Sequence, residues 1–154
     1  MKKIAVIVAG GAGTRMGSDI PKQFLLLHNK PVLWHSISAF ANAFDDIELI
    51  IVLPENHIED GKKMLADFSA THKIDFVKGG ETRFHSVKNG LNLIKDKAIV
   101  FVHDAVRCLV TKDLIHRCYQ QASAKTCAIP AIAATDTIRY VEGEKNILLD
   151  REKI

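Results

Sequence analysis

The chain has 154 residues, enough for one α/β domain with a sizeable core. Charged residues make up 25% and aromatics 6%, and the net charge of +3 is spread without a basic stripe, which argues against a nucleic-acid track and suits small anionic molecules. No apolar run approaches the roughly 20 residues of a membrane span, Met1-Lys2-Lys3 leads into a strand without a cleavable signal, and Cys108, Cys118 and Cys127 lack C-x-x-C spacing, so a cytoplasmic protein with reduced thiols is expected.

The first predicted strand, Lys3–Ala9, is strongly apolar and runs into Ala9-Gly10-Gly11-Ala12-Gly13-Thr14-Arg15-Met16-Gly17, then Ser18-Asp19-Ile20 and Pro21-Lys22-Gln23-Phe24. Consecutive glycines at a strand end leave backbone N–H groups uncovered, and Arg15 and Lys22 add two cations to the same loop, a suitable place for phosphates. A Walker loop would close on Gly-Lys-Ser/Thr, which this stretch lacks. The dinucleotide fingerprint fits at Gly11-Ala12-Gly13, but Met16 takes the third glycine's place. That fingerprint also needs a helix inside the motif, whereas Pro21 and the turn-like His28-Asn29-Lys30-Pro31 keep the chain irregular.

Further along, β-branched runs alternate with amphipathic segments, the rhythm of a parallel sheet. Strands are predicted at Glu48–Leu53, Lys73–Val77, Ala98–His103 and Thr126–Pro130, and helices at Pro31–Phe44, His57–Phe68, Arg83–Ile94 and Lys112–Ser123. After Pro130, Thr137–Val141, a turn over Glu142-Gly143-Glu144-Lys145-Asn146 and Ile147–Leu149 read as a β-hairpin with a longer loop. The predicted fold is α/β, with a Rossmann-like, mostly parallel sheet, helices on both faces and a hairpin arm over residues 134–150 of a single domain. Ligands of such sheets gather at the carboxyl ends of the strands, where the glycine stretch, Gly79-Gly80 and Asp104 all fall.

Four motifs in order carry a resemblance. They are G-G-x-G-x-R-M with Pro21-Lys22-Gln23-Phe24, then Gly79-Gly80-Glu81-Thr82-Arg83-Phe84-His85-Ser86-Val87, then Val102-His103-Asp104-Ala105-Val106-Arg107, and finally Asp136-Thr137 with Asp150-Arg151. Together they resemble the CTP-dependent cytidylyltransferases of sugar-alcohol phosphates, chiefly the 2-C-methyl-D-erythritol 4-phosphate cytidylyltransferase family. The resemblance covers the whole chain, yet the family usually runs longer, so a nucleotidyltransferase domain lacking its carboxyl-terminal part is expected.

The resemblance implies transfer of CMP from CTP to 2-C-methyl-D-erythritol 4-phosphate. Ribitol-5-phosphate cytidylyltransferase is the nearest alternative, and a nucleotide-binding chain without turnover is another. An anionic oxygen must attack an anionic phosphate, so positioning and cations are needed more than a protein nucleophile. By resemblance Arg15 and Lys22 stabilise the transition state. Asp104 holds Mg²⁺, and Ala9, Gly10, Gly11, Ala12, Gly13, Gly80, Glu81, Ser86 and Ala105 contact the nucleotide. Ser86 has a plain rival role as a helix serine bonding its own backbone. Arg83 is expected to pair with Glu81 or brace the glycine loop, Arg107 to brace its loop, and His103 to pack behind the nucleotide. Thr137 and Arg151 are the implied contacts to the acceptor's phosphate, acting across a homodimer through exchanged arms. The family's usual Asp and Pro are replaced here by Glu81 and Cys108.

Overall fold

The computed structural model describes residues 1–11 and 20–153. Strand β1 (Lys2–Val8) has four consecutive buried residues, Ile4 to Ile7, so both of its faces are covered, as in the interior of a parallel sheet. A single 3-10 turn over Lys22–Phe24 leads into a short ribbon, β2 (Leu26–Leu27) and β3 (Lys30–Pro31). Its turn residues His28 and Asn29 have φ of 48° and 60°, and positive φ at both positions suits a two-residue turn of the mirror-image type that follows strand twist. Helix α1 (Val32–Ala41) begins directly after Pro31, whose preset φ and missing N–H cost little there. It buries Leu33, Ser36, Ile37, Phe40 and Ala41 at helical spacing.

The chain continues through β4 (Ile47–Leu53), α2 (Ile58–Met64), α3 (Ala66–Ser69), β5 (Ile74–Lys78), α4 (Arg83–Leu91), β6 (Ala98–Asp104) and α5 (Lys112–Lys125). An antiparallel pair, β7 (Arg139–Glu142) and β8 (Lys145–Leu148), follows. The predicted helix over His57–Phe68 is two short helices, because Leu65 leaves helical geometry at φ −103°, ψ 14°. The four long strands form one parallel sheet in the order β5-β4-β1-β6, with Val8 opposite Val52 on one side and Asp104 on the other. Strand order reverses around β1, the position at which open α/β sheets form a crevice.

Helices cover both faces. On one, α1, α2, α3 and α5 pack over Ala5, Ile7, Leu49, Ile51 and Leu53; on the other, α4 packs over Ile4, Val6, Ile50 and Val52. Each fully buried aliphatic side chain contributes about 1.5–3 kcal/mol.

Three further expectations are corrected. Residues 126–130 form no strand: Thr126 ends α5 in the left-handed region at φ 67°, and the chain then runs beside β6 instead of joining its ladder. Cys127, Ala128 and Pro130 instead line a groove of about 420 Å³ between β6 and α5, and Pro130 has no N–H to offer a ladder. The hairpin turn is also shorter than expected. Gly143 at φ 59° and Glu144 alone connect β7 to β8, because glycine at the first turn position satisfies a two-residue hairpin. Thr137 precedes β7 rather than beginning it.

Candidate active site

The parallel strands end along one edge, and three loops leaving that edge extend the ladder by one residue. Ala9 N–H donates to the Val52 carbonyl (2.8 Å), Gly79 N–H to that of Leu53 (2.8 Å) and Ala105 N–H to that of Val8 (3.0 Å). The first two loops touch. A Cβ on Gly10 would lie 2.8 Å from Ser86 Oγ and 3.3 Å from Gly79 Cα, so glycine is required by close approach.

Gly80 sits under the first turn of α4, where an added Cβ would collide with His85. Its N–H donates to Ser86 Oγ at 3.0 Å, and Ser86 is buried. Thr82 caps the helix by accepting from His85 N–H at 3.3 Å, which satisfies one of the donors that a helix start leaves over. Glu81 is exposed at the tip of this loop. Ala105 is fully buried, and its carbonyl accepts from Ser36 Oγ at 2.6 Å, so α1 holds the third loop down.

Asp104, the last residue of β6, is gripped from both sides. Arg83 Nε donates to Oδ1 at 2.8 Å and Arg107 Nε to Oδ2 at 3.1 Å. Partial burial pushes the carboxyl upward, but the two guanidiniums prevail and hold it below its ordinary 3.8. Arg83 therefore pairs with Asp104 and not with Glu81, since its place at the start of α4 faces the end of β6. Arg107 braces its loop twice, its own N–H bonding the Asp104 carbonyl at 2.9 Å. Behind them His103 lies against Phe40, ring centroids 5.1 Å apart, and its Nε2 is 3.2 Å from the Arg107 carbonyl. Burial pushes this imidazole below its ordinary 6.5.

Lys22 opens the 3-10 turn, half-buried, next to a residue whose part motif reading missed. Gln23 is 1% exposed, and its Nε2 donates to the carbonyls of Ala9 (2.9 Å) and Gly11 (3.2 Å). Its sequence signal is its place in the Pro21-Lys22-Gln23-Phe24 motif, with no periodicity to mark it as buried. Ala12, Gly13 and Arg15 lie outside the described residues.

Thr137 and Arg151 stand apart on the arm. Thr137 is exposed, and Arg151 Nη1 donates to the Thr135 carbonyl at 3.1 Å. The groove beside β6 is lined by apolar groups such as Ile99, Phe101 and Leu114 along a strand edge, and by His103 at its end nearest Asp104.

A sequence profile of IspD, 2-C-methyl-D-erythritol 4-phosphate cytidylyltransferase, matches residues 3–153. The chain belongs to this family. The 2-C-methyl-D-erythritol 4-phosphate cytidylyltransferase of Bacteroides thetaiotaomicron is 45% identical over 143 residues, covering 92% of this chain and 64% of its own length. That of Porphyromonas gingivalis is 43% identical over 154 residues, covering 99% of this chain and 68% of its own. Thus the chain spans about two thirds of the length of these relatives. The crystal structure of 4-diphosphocytidyl-2C-methyl-D-erythritol synthase from Anaerococcus prevotii superposes with a TM-score of 0.85 over 99% of this chain and 65% of its own. At 22% identity, that likeness speaks for the fold alone.

Among the described residues no group of three or more His, Cys, Asp or Glu side chains could cage a metal. Mg²⁺ takes one or two carboxylates and leaves its other positions to phosphate oxygens and water, so it needs no such cage. Asp104, ionised and with its side chain 25% exposed at a strand end, has the chemistry of such a ligand.

Proposed function

We propose that this chain carries the nucleotide site of a cytidylyltransferase that joins CTP to 2-C-methyl-D-erythritol 4-phosphate in isoprenoid precursor synthesis. The observation that carries this reading is the meeting of the Gly10, Gly79-Gly80 and Asp104 loops at the sheet edge where strand order reverses.

In the reaction, an oxygen of the acceptor's phosphate attacks the α-phosphorus of CTP. A new P–O bond forms as the bond to pyrophosphate breaks, and pyrophosphate leaves with the electron pair. Every partner is anionic, so cations and fixed N–H dipoles supply most of the catalysis. Arg15 and Lys22 take the charge that develops at the α-phosphate, the first as a planar fork and the second as a point charge. Ala9, Gly10, Gly11, Ala12 and Gly13 are the residues that take the phosphates. Gly80 and Glu81 face the base and ribose, with Ser86 holding the Gly80 N–H in place, and Ala105 keeps the ribose side small. Asp104 would hold Mg²⁺, which would neutralise charge on the triphosphate. Thr137 and Arg151 take the acceptor's phosphate from the arm of a second subunit. Tyr140, Val141, Ile147 and Leu148 support that assembly, because they expose apolar surface along the arm.

Calorimetric titration of the chain with CTP, ATP, GTP and UTP in the presence of Mg²⁺ tests the nucleotide. CTP should bind tightest, and tighter ATP or GTP binding would sink the cytidylyl assignment. Mass spectrometry of products from a version extended to the relatives' length separates the acceptors, with methylerythritol phosphate expected to react and ribitol phosphate to remain unchanged.

A further inference from the structure

We propose that Gln23 is a positioning residue that ties the backbone leaving β1 to Lys22, an inference whose nucleotide consequence rests on the reading above. Gln23 sits in a three-residue 3-10 turn and is 1% exposed, while Lys22 and Phe24 on either side remain partly open. A buried amide is costly unless it is bonded, and Gln23 Nε2 uses its donors on two carbonyls across the glycine-rich stretch, Ala9 at 2.9 Å and Gly11 at 3.2 Å.

Those two bonds set the direction of the backbone. A trans peptide holds its N–H opposite its C=O, so drawing the Ala9 carbonyl toward Gln23 turns the Gly10 N–H the other way. Ala9 is pinned a second time by its own N–H on Val52, and Gly10 is backed by Gly79 and Ser86, so residues 9–11 are held on both sides. The 3-10 turn is itself anchored, with Phe24 N–H on the Pro21 carbonyl at 2.8 Å and the Phe24 ring 5.1 Å from that of His57. Lys22 precedes Gln23 directly, so the same side chain sets how far this cation stands from the glycine backbone. Both would face the phosphates of a bound nucleotide, and neither concerns the base, which belongs to the loop before α4.

Gln23→Met keeps the volume and removes the donors, and Gln23→Glu keeps the shape and sets a carboxylate against two carbonyls. Titration of wild type and both variants with CTP and Mg²⁺ by calorimetry, and with cytidine by NMR, gives the decisive split. CTP affinity should fall about tenfold or more, while cytidine affinity changes less than about twofold. Amide exchange should quicken in peptides covering residues 9–24 and stay unchanged over residues 83–91. Unaltered CTP affinity in the variants, or an equal loss for CTP and cytidine, overturns the positioning role. A wild type that binds no CTP, with exchange still quickened over 9–24 in the variants, leaves the role standing and removes the nucleotide reading.

Discussion

Asp104 meets two guanidiniums, and their effect on it can be measured without substrate. Desolvation raises the carboxyl and the arginines lower it further than that, so its folded value lies below the ordinary 3.8. The stability it contributes is therefore present above 3.8 and lost as the pH falls through the folded value. Arg83→Ala should raise the Asp104 midpoint in an NMR titration and shrink the loss of stability on acidification. With the Arg83 side chain 61% exposed, the change at neutral pH should stay under about 1 kcal/mol in urea unfolding. An unmoved midpoint would mean that Arg107 alone holds the carboxylate. The Arg83 half of this pairing could not be read from residue order, because Arg83 and Asp104 are 21 positions apart, whereas Arg107 lies three positions from Asp104.

At the scale of elements, α4 shows a feature that propensity reads with the wrong sign. Glycine inside a helix costs about 1 kcal/mol relative to alanine, so Gly90→Ala would stabilise an isolated helix. Here a Cβ on Gly90 would lie 2.5 Å from Val6 Cγ1 and 3.2 Å from Val52 Cγ2, and α4 would have to lift from the sheet. We expect Gly90→Ala to destabilise the chain by about 1–3 kcal/mol, measured by thermal or urea unfolding. A stabilised variant would show that α4 can shift outward at no cost. Periodicity was sufficient for β1 and β4, whose apolar runs are buried on both faces, and for the half-buried edge strands β5 and β6. It failed at Thr126–Pro130, where the composition suits a strand but the left-handed Thr126 aims the chain elsewhere.

For the whole molecule, the arm is an element whose apolar groups Tyr140, Val141, Ile147 and Leu148 are all exposed. Tyr140 pairs with Ile147 on one face, while Val141 and Leu148 lie on the other, so a two-stranded ribbon exposes apolar side chains both ways. A ribbon of this kind is marginal in water without something packed on it. If a second copy supplies that cover, analytical ultracentrifugation should show concentration-dependent dimers. Ile147→Lys should weaken them at least tenfold while leaving nucleotide affinity unchanged. Dimers indifferent to the substitution would place the contact elsewhere on the surface.

Local spelling by itself determined the strands that are buried on both faces, the helix start after Pro31, the hairpin and the motifs at the strand ends, because each depends on residues close in sequence. Tertiary structure alone decided that Arg83 reaches Asp104, that Ser86 and Gly10 share one contact, that Gly90 admits Val6, and that Gln23 spans the glycine turn. Each of these joins residues from different elements, and whether a side chain can reach its partner depends on strand order and helix placement, which no local pattern contains.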